Sequence, residues 1–214
     1  MNLSVEMTDE RLAVRRAVNA VAGARSLPAP WPELPAHVPT WATGDIAAWG
    51  VVELGELRQR LLSDRTRARD GVVYTPPEVV EFQVRAALGL QLPKLAAERR
   101  PLQRLLIHDP FCGPGIYLVH AARHLAGWLL DRARLEPTPA NVRWLTAEAL
   151  VNCVYGTDLD EVSVDLARAA CWLEVGSARV PFTFLDDNIG CGDTFAGFLP
   201  PALEKRWPHE RRCT

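Results

Sequence analysis

The sequence predicts an α/β protein built on a parallel sheet, and three observations carry that expectation. Apolar runs that end in acids recur between amphipathic helices: "QRLLIHDP", "CVYGTDLD" and "VPFTFLDDNIGCGDTF". A glycine-rich turn, "CGPG", follows the first of them. The helices between the runs are long enough to cross back over a sheet, so strand–helix–strand–helix–strand means βαβ units with right-handed connections. An all-helical bundle does not absorb "RLLIHDPFCGPG" or "FTFLDDNIGCGD".

The elements follow in order. Residues 8–25 carry apolar positions at helical spacing after Thr8, a residue type that caps helix starts. The stretch "LPAPWPELPAHVPTW" holds five prolines, which excludes a helix and predicts an extended connector. A second helix is expected over 45–65. From Gly71 the pattern changes to a short extended piece and a Thr-Pro-Pro turn. An amphipathic helix follows, its prolines in the first turn, where amide donors have no partner anyway. Helices are then expected over 115–134 and 139–152, and "EVSVDLARAACWLEVG" reads as one closed by Gly176. This divides the chain into a helical preface, 1–70, and a sheet-bearing part, 71–214.

Composition bounds the function. The 214 residues are 48% hydrophobic and 23% charged, as in soluble globular proteins. No apolar run approaches the roughly 20 residues a membrane helix needs, and the N-terminus has no apolar signal core. A cytoplasmic protein without membrane partners is expected. Five scattered cysteines without a CxxC pair point to reduced thiols. A net charge of −2 gives no global basic footprint for nucleic acid.

Each expected strand ends in acid at the edge where open parallel sheets bind ligands: Asp109, then Asp158 with Asp160, then Asp193. A lone acid there is usually a helix cap. Three in the same relative place, beside a turn whose Gly113 and Gly115 allow close backbone approach, point to a ligand site. An acid at the end of the second strand is the usual partner of ribose hydroxyls, so an adenosine-containing cofactor is expected.

The segments "GVVYTPPEVVEFQVRAAL", "DPFCGPGIYLV", "VYGTDLDEVSVDLARAACWL" and "NIGCGDTF" resemble, in order and spacing, the class I S-adenosylmethionine-dependent DNA methyltransferases. They look most like the adenine-N6 branch of type I and type IIG restriction–modification systems. The resemblance covers roughly 71–195 and implies a partial Rossmann-like methyltransferase sheet with S-adenosylmethionine as cofactor. By the same resemblance Thr75 and Pro76 lie against the methionine part, and Asp109 holds its ammonium group. The backbone of Phe111, Cys112, Gly113 and Gly115 lines the pocket. Asp158 accepts the ribose hydroxyls, Leu159 packs on the adenine face, and Asp193 accepts the adenine amino group with Thr194 beside it.

The family transfers the methyl group through an Asn-Pro-Pro-aromatic tetrapeptide, which is not in this sequence. "FLPPA" has Leu199 where the asparagine would stand, and leucine cannot pair with an amine. No catalytic residue is therefore assigned. The resemblance implies the cofactor-binding portion of an enzyme, with DNA engaged through a further region or partner. Alternatives are a non-catalytic S-adenosylmethionine-binding subunit or an inactive remnant. A free sheet edge beside the first strand predicts a protein partner or self-association.

Weaker signals have simpler explanations. His120 and His124 have the spacing of two metal ligands but no third, so no metal is expected. Trp31, Trp41 and Trp49 are expected to pack the preface onto the core. Cys112 has no activating base nearby in sequence.

Overall fold

A computed structural model describes residues 8–42, 44–62, 75–98 and 102–206. The extended piece at 71–74 and the arginine-rich stretch at 63–70 lie outside the described residues. Three parallel strands form one sheet in the order β1-β2-β3: β1 Ile107–Asp109, β2 Val154–Asp158 and β3 Ile189–Cys191. The register pairs His108 with Tyr155 and Asp158 with Cys191, which brings all three carboxyl ends to one edge. The expected α/β class with flanking helices is what forms. Among the described residues β1 has a sheet neighbour on one side only.

The helices are α1 Asp9–Ala24, α2 Val51–Leu61, α3 Pro77–Ala97, α4 Ile116–Ala133, α5 Pro139–Cys153, α6 Glu161–Val175 and α7 Pro201–Arg206. Thr8 caps α1, accepting the Arg11 amide at 3.2 Å. Pro77 starts α3 with Pro76 at its cap, as a proline in the first helical turn should. Gly176 closes α6 in the left-handed conformation, φ 57°. Twelve of the fifteen residues of α6 are buried, which makes it the hub against which α1, α2, α4, α5, β2 and β3 pack.

The preface joins the sheet through one continuous core that runs from Val18, Trp31 and Leu54 to Leu150, Trp172 and Ile189. Charge pairing reinforces the joint. Asp165 on α6 is only 5% exposed, and it accepts from Arg11 Nε at 2.7 Å and Arg15 Nε at 2.9 Å. A carboxylate so buried is tolerable only with such partners. The Asn19 amide donates to the carbonyls of Trp31 and Leu34 at 2.7 and 2.9 Å, pinning the proline-rich connector to α1. Trp31 and Trp49 are buried as expected; Trp41 is not, and Arg60 stacks over its ring at 4.8 Å.

Three elements differ from expectation. The second helix starts late: Asp45 caps a separate 3₁₀ turn, Ile46–Ala48, and the Gly50 amide donates to Glu53 Oε2 at 2.7 Å to open α2. The first strand is shorter than "QRLLIHDP", because Leu102–Arg104 form a 3₁₀ turn. The third strand does not include "FTFL". Phe182–Leu185 turn as a 3₁₀ helix, which lets the Phe182 ring meet Trp31 at 4.8 Å and Trp172 at 5.8 Å.

Asn188 then admits the chain to β3. Its buried amide donates to the carbonyls of Leu150, Val151 and Val154 at 3.0–3.1 Å, satisfying the end of α5 where helical acceptors run out. Asn188→Ala removes all three of these bonds, although the Leu150 carbonyl keeps the Val154 amide as a donor. We expect a loss of about 1–3 kcal/mol in stability by urea denaturation, and no loss would show that the carbonyls find other partners.

Candidate functional site

The turn after β1 is built from its own backbone. Asp109 Oδ1 accepts the Phe111 amide at 3.1 Å. The Cys112 amide donates to the Thr157 carbonyl at 2.9 Å and the Gly113 amide to Asp158 Oδ2 at 2.9 Å, so the turn is tied twice to β2. The Gly115 amide donates to the Cys112 carbonyl at 2.8 Å. Pro114 has no amide proton to give. Every N–H of the turn therefore has a protein acceptor, and the turn offers a ligand a close backbone surface rather than open donors.

Polar capacity at this edge lies instead in side chains. The second carboxylate oxygen of Asp109 is buried and has no partner among the described residues. Burial raises the Asp109 carboxyl above its ordinary 3.8, only partly offset by the Phe111 amide, and the nearby Asp158 charge raises it further. Both oxygens of Asp158 accept amides, from Gly113 and from Asp160, each at 2.9 Å. A carboxylate has about four acceptor sites, so each oxygen can still take a hydroxyl. Burial raises Asp158 too. An unpaired buried carboxylate beside a second one favours a cationic group arriving to pair with it.

The third acid is more open. Asp193 is exposed, and its Oδ1 accepts the amides of Phe195 at 2.8 Å and Ala196 at 3.2 Å, leaving Oδ2 to solvent. Thr194 Oγ1 beside it is buried, again without a partner among the described residues. Around these acids stand largely exposed apolar side chains: Leu159 is 67% exposed, Phe111 58% and Phe195 87%. The Phe111 and Phe195 rings lie 5.3 Å apart. A planar apolar ring would find a surface here.

The expected residues do not gather in one place. Asp109 lines a cavity of about 320 Å³ with Val84, Leu88 and Tyr117, beside the edge of β1 that has no sheet neighbour among the described residues. Thr75, Phe111, Cys112 and Gly113 line a smaller one, about 80 Å³, between α2 and the turn. Asp158 stands between the turn and Asp160, and Leu159, Asp193 and Thr194 lie on the open rim at the ends of β2 and β3. Pro76 is exposed at the start of α3. The Cys112 side chain is buried, and burial pushes its thiol well above the ordinary range, so it contributes backbone and no nucleophile. Gly115 is occupied with packing: a Cβ there would come within 2.9 Å of the Ala167 Cα.

Sequence reasoning missed Arg58 and Phe195. Arg58 on α2 is 5% exposed and pairs with Asp160 at 2.8 Å and with Glu10. Asp160 is thereby occupied as the cap of α6 and the partner of Arg58. His120 and His124 line a separate polar cleft of about 310 Å³ with Glu81, Arg85 and Arg123. Among the described residues no cluster of three or more His, Cys, Asp or Glu can hold a metal ion, and no helix is long and apolar enough to cross a membrane. No family model, curated protein or solved structure matches this chain.

Proposed function

We propose that this chain captures S-adenosylmethionine as the cofactor-binding portion of a DNA adenine-N6 methyltransferase. The observation that carries the reading is the orphaned, buried oxygen of Asp109 at the carboxyl end of β1, which needs a cation. The methionine ammonium supplies one. Asp158 has acceptor capacity left for ribose hydroxyls, and Leu159 offers an apolar face to an adenine ring. The Asn-Pro-Pro-aromatic residues that would hold the target base are not in the sequence. Base capture and DNA contact therefore fall to a further segment or a partner, and the unpaired edge of β1 is where its strand would join. The sulfonium of S-adenosylmethionine is already an electrophile, so what remains for the assembled enzyme is to position the amine in line with the methyl group. Within that enzyme this chain's residues bind and orient.

Calorimetric titration of the purified chain with S-adenosylmethionine, beside ATP, tests the reading. Both ligands carry adenosine and its ribose hydroxyls, but only the first brings an ammonium to Asp109, and the triphosphate of ATP brings repulsion. Micromolar binding of S-adenosylmethionine without ATP binding is expected. Binding of ATP, or of neither by a folded sample, would refute it.

A further inference from the structure

Arg58 is charged, buried and incompletely used. Burying a guanidinium is costly unless its donors are met. Nη2 meets Asp160 at 2.8 Å and Nη1 pairs with Glu10, but Nε has no acceptor among the described residues. A guanidinium has five N–H donors, so capacity remains after both pairs. The side chain lines the cavity of about 80 Å³ with Thr75, Phe111 and Gly113, and among the described residues no other charged side chain lines it. The amides of Phe111 and Gly113, which also line it, are already committed to Asp109 and Asp158. An anion entering the cavity would thus find its donors in the side chains of Arg58, Gln59 and Thr75, of which Arg58 alone is charged. A cavity of about 80 Å³ has room for a group the size of a carboxylate, since about 10–15 Å³ of such space already holds one water.

We infer that Arg58 receives the α-carboxylate of the cofactor's amino-acid end, an inference that rests on the function proposed above. Asp109 and Arg58 then pair with the two charges of one zwitterion. The role of Glu10 and Asp160 is to hold the guanidinium in place. The helical preface thereby becomes part of the site. Its helix α1 supplies Glu10 and its helix α2 supplies Arg58, so residues outside the 71–195 stretch complete the pocket.

The test compares S-adenosylmethionine with its decarboxylated form, by calorimetry on the full chain. The unaltered protein is expected to bind the decarboxylated ligand about tenfold or more weakly, the loss of a hydrogen-bonded charge pair. Arg58→Lys keeps a positive charge between Glu10 and Asp160 but loses the fork. It should narrow that ratio toward one by weakening S-adenosylmethionine alone, with the decarboxylated ligand held within about threefold. Arg58→Gln, checked for folding by circular dichroism, should narrow it further. A preference that survives in both variants overturns the inference, as does equal binding of the two ligands by the unaltered protein. Binding of neither ligand by the unaltered protein overturns the cofactor reading beneath it.

Discussion

Asp109→Asn is expected to weaken S-adenosylmethionine binding about 10- to 100-fold while leaving the empty protein at least as stable at neutral pH. The two effects have opposite signs because one charge serves both. In the empty protein the buried, partnerless oxygen is a burden, which is why the carboxyl sits above its ordinary 3.8. A folded-state value raised above the unfolded one means stability that is full in acid and lost as pH rises through the raised value. Removing the charge removes that loss. In the proposed complex the same charge would meet the ligand's ammonium and be held ionised. Binding therefore expels a proton in the interval below the raised value, and affinity climbs with pH across it and levels above. Asp109→Asn should flatten that climb, apart from the share contributed by Asp158, which burial also raises. Urea denaturation and calorimetry on one pair of samples measure both signs. A variant that is less stable yet binds as tightly would mean Asp109 is a structural cap for Phe111 and nothing more.

How much of this was legible in the sequence depends on how far each residue's partners lie from it. The carboxyl-edge acids were readable because each terminates its own apolar run: Ile107 to Asp109, and Val154 to Asp158. Gly176 was readable because a helix ending in a left-handed residue has a local signature. Phe182 and Phe184 alternate as in a strand, yet the segment turns as a 3₁₀ helix with the Phe182 ring packed against Trp31 and Trp172. Tertiary packing overrode a local pattern there. Arg58 carries no local signal at all, since its partner Asp160 is 102 residues away. Only the fold turns it inward. Phe195 was passed over because nothing in "GDTFAG" says that the turn will leave its ring in the open.

The glycines of the turn after β1 separate support from reception. Gly115→Ala is expected to cost about 2–5 kcal/mol, a large part of the roughly 5–15 kcal/mol that holds a domain together. Two independent penalties act. Its φ of 90° is left-handed, which costs a side-chain-bearing residue about 1–2 kcal/mol. Its new Cβ would lie 2.9 Å from the Cα and 3.1 Å from the Cβ of Ala167, in the buried middle of α6. Backbone in the hub helix cannot swing aside as a side-chain tip would, so overpacking adds about 1–3 kcal/mol. Gly113 shares the sign of φ, at 51°, but a Cβ there meets nothing within 4 Å. Gly113→Ala should therefore cost only the backbone share, about 1 kcal/mol, while placing a methyl group where the ligand approaches. Gly127, inside α4 with open space around it, supplies the opposite control: alanine there should stabilise by about 0.5–1 kcal/mol. Thermal or urea unfolding of the three variants orders them. If Gly115→Ala proves no worse than Gly113→Ala, then α4 and α6 are not pressed together at Ala167. The seat of the turn would then be looser than its hydrogen bonds to Asp158 and Thr157 require.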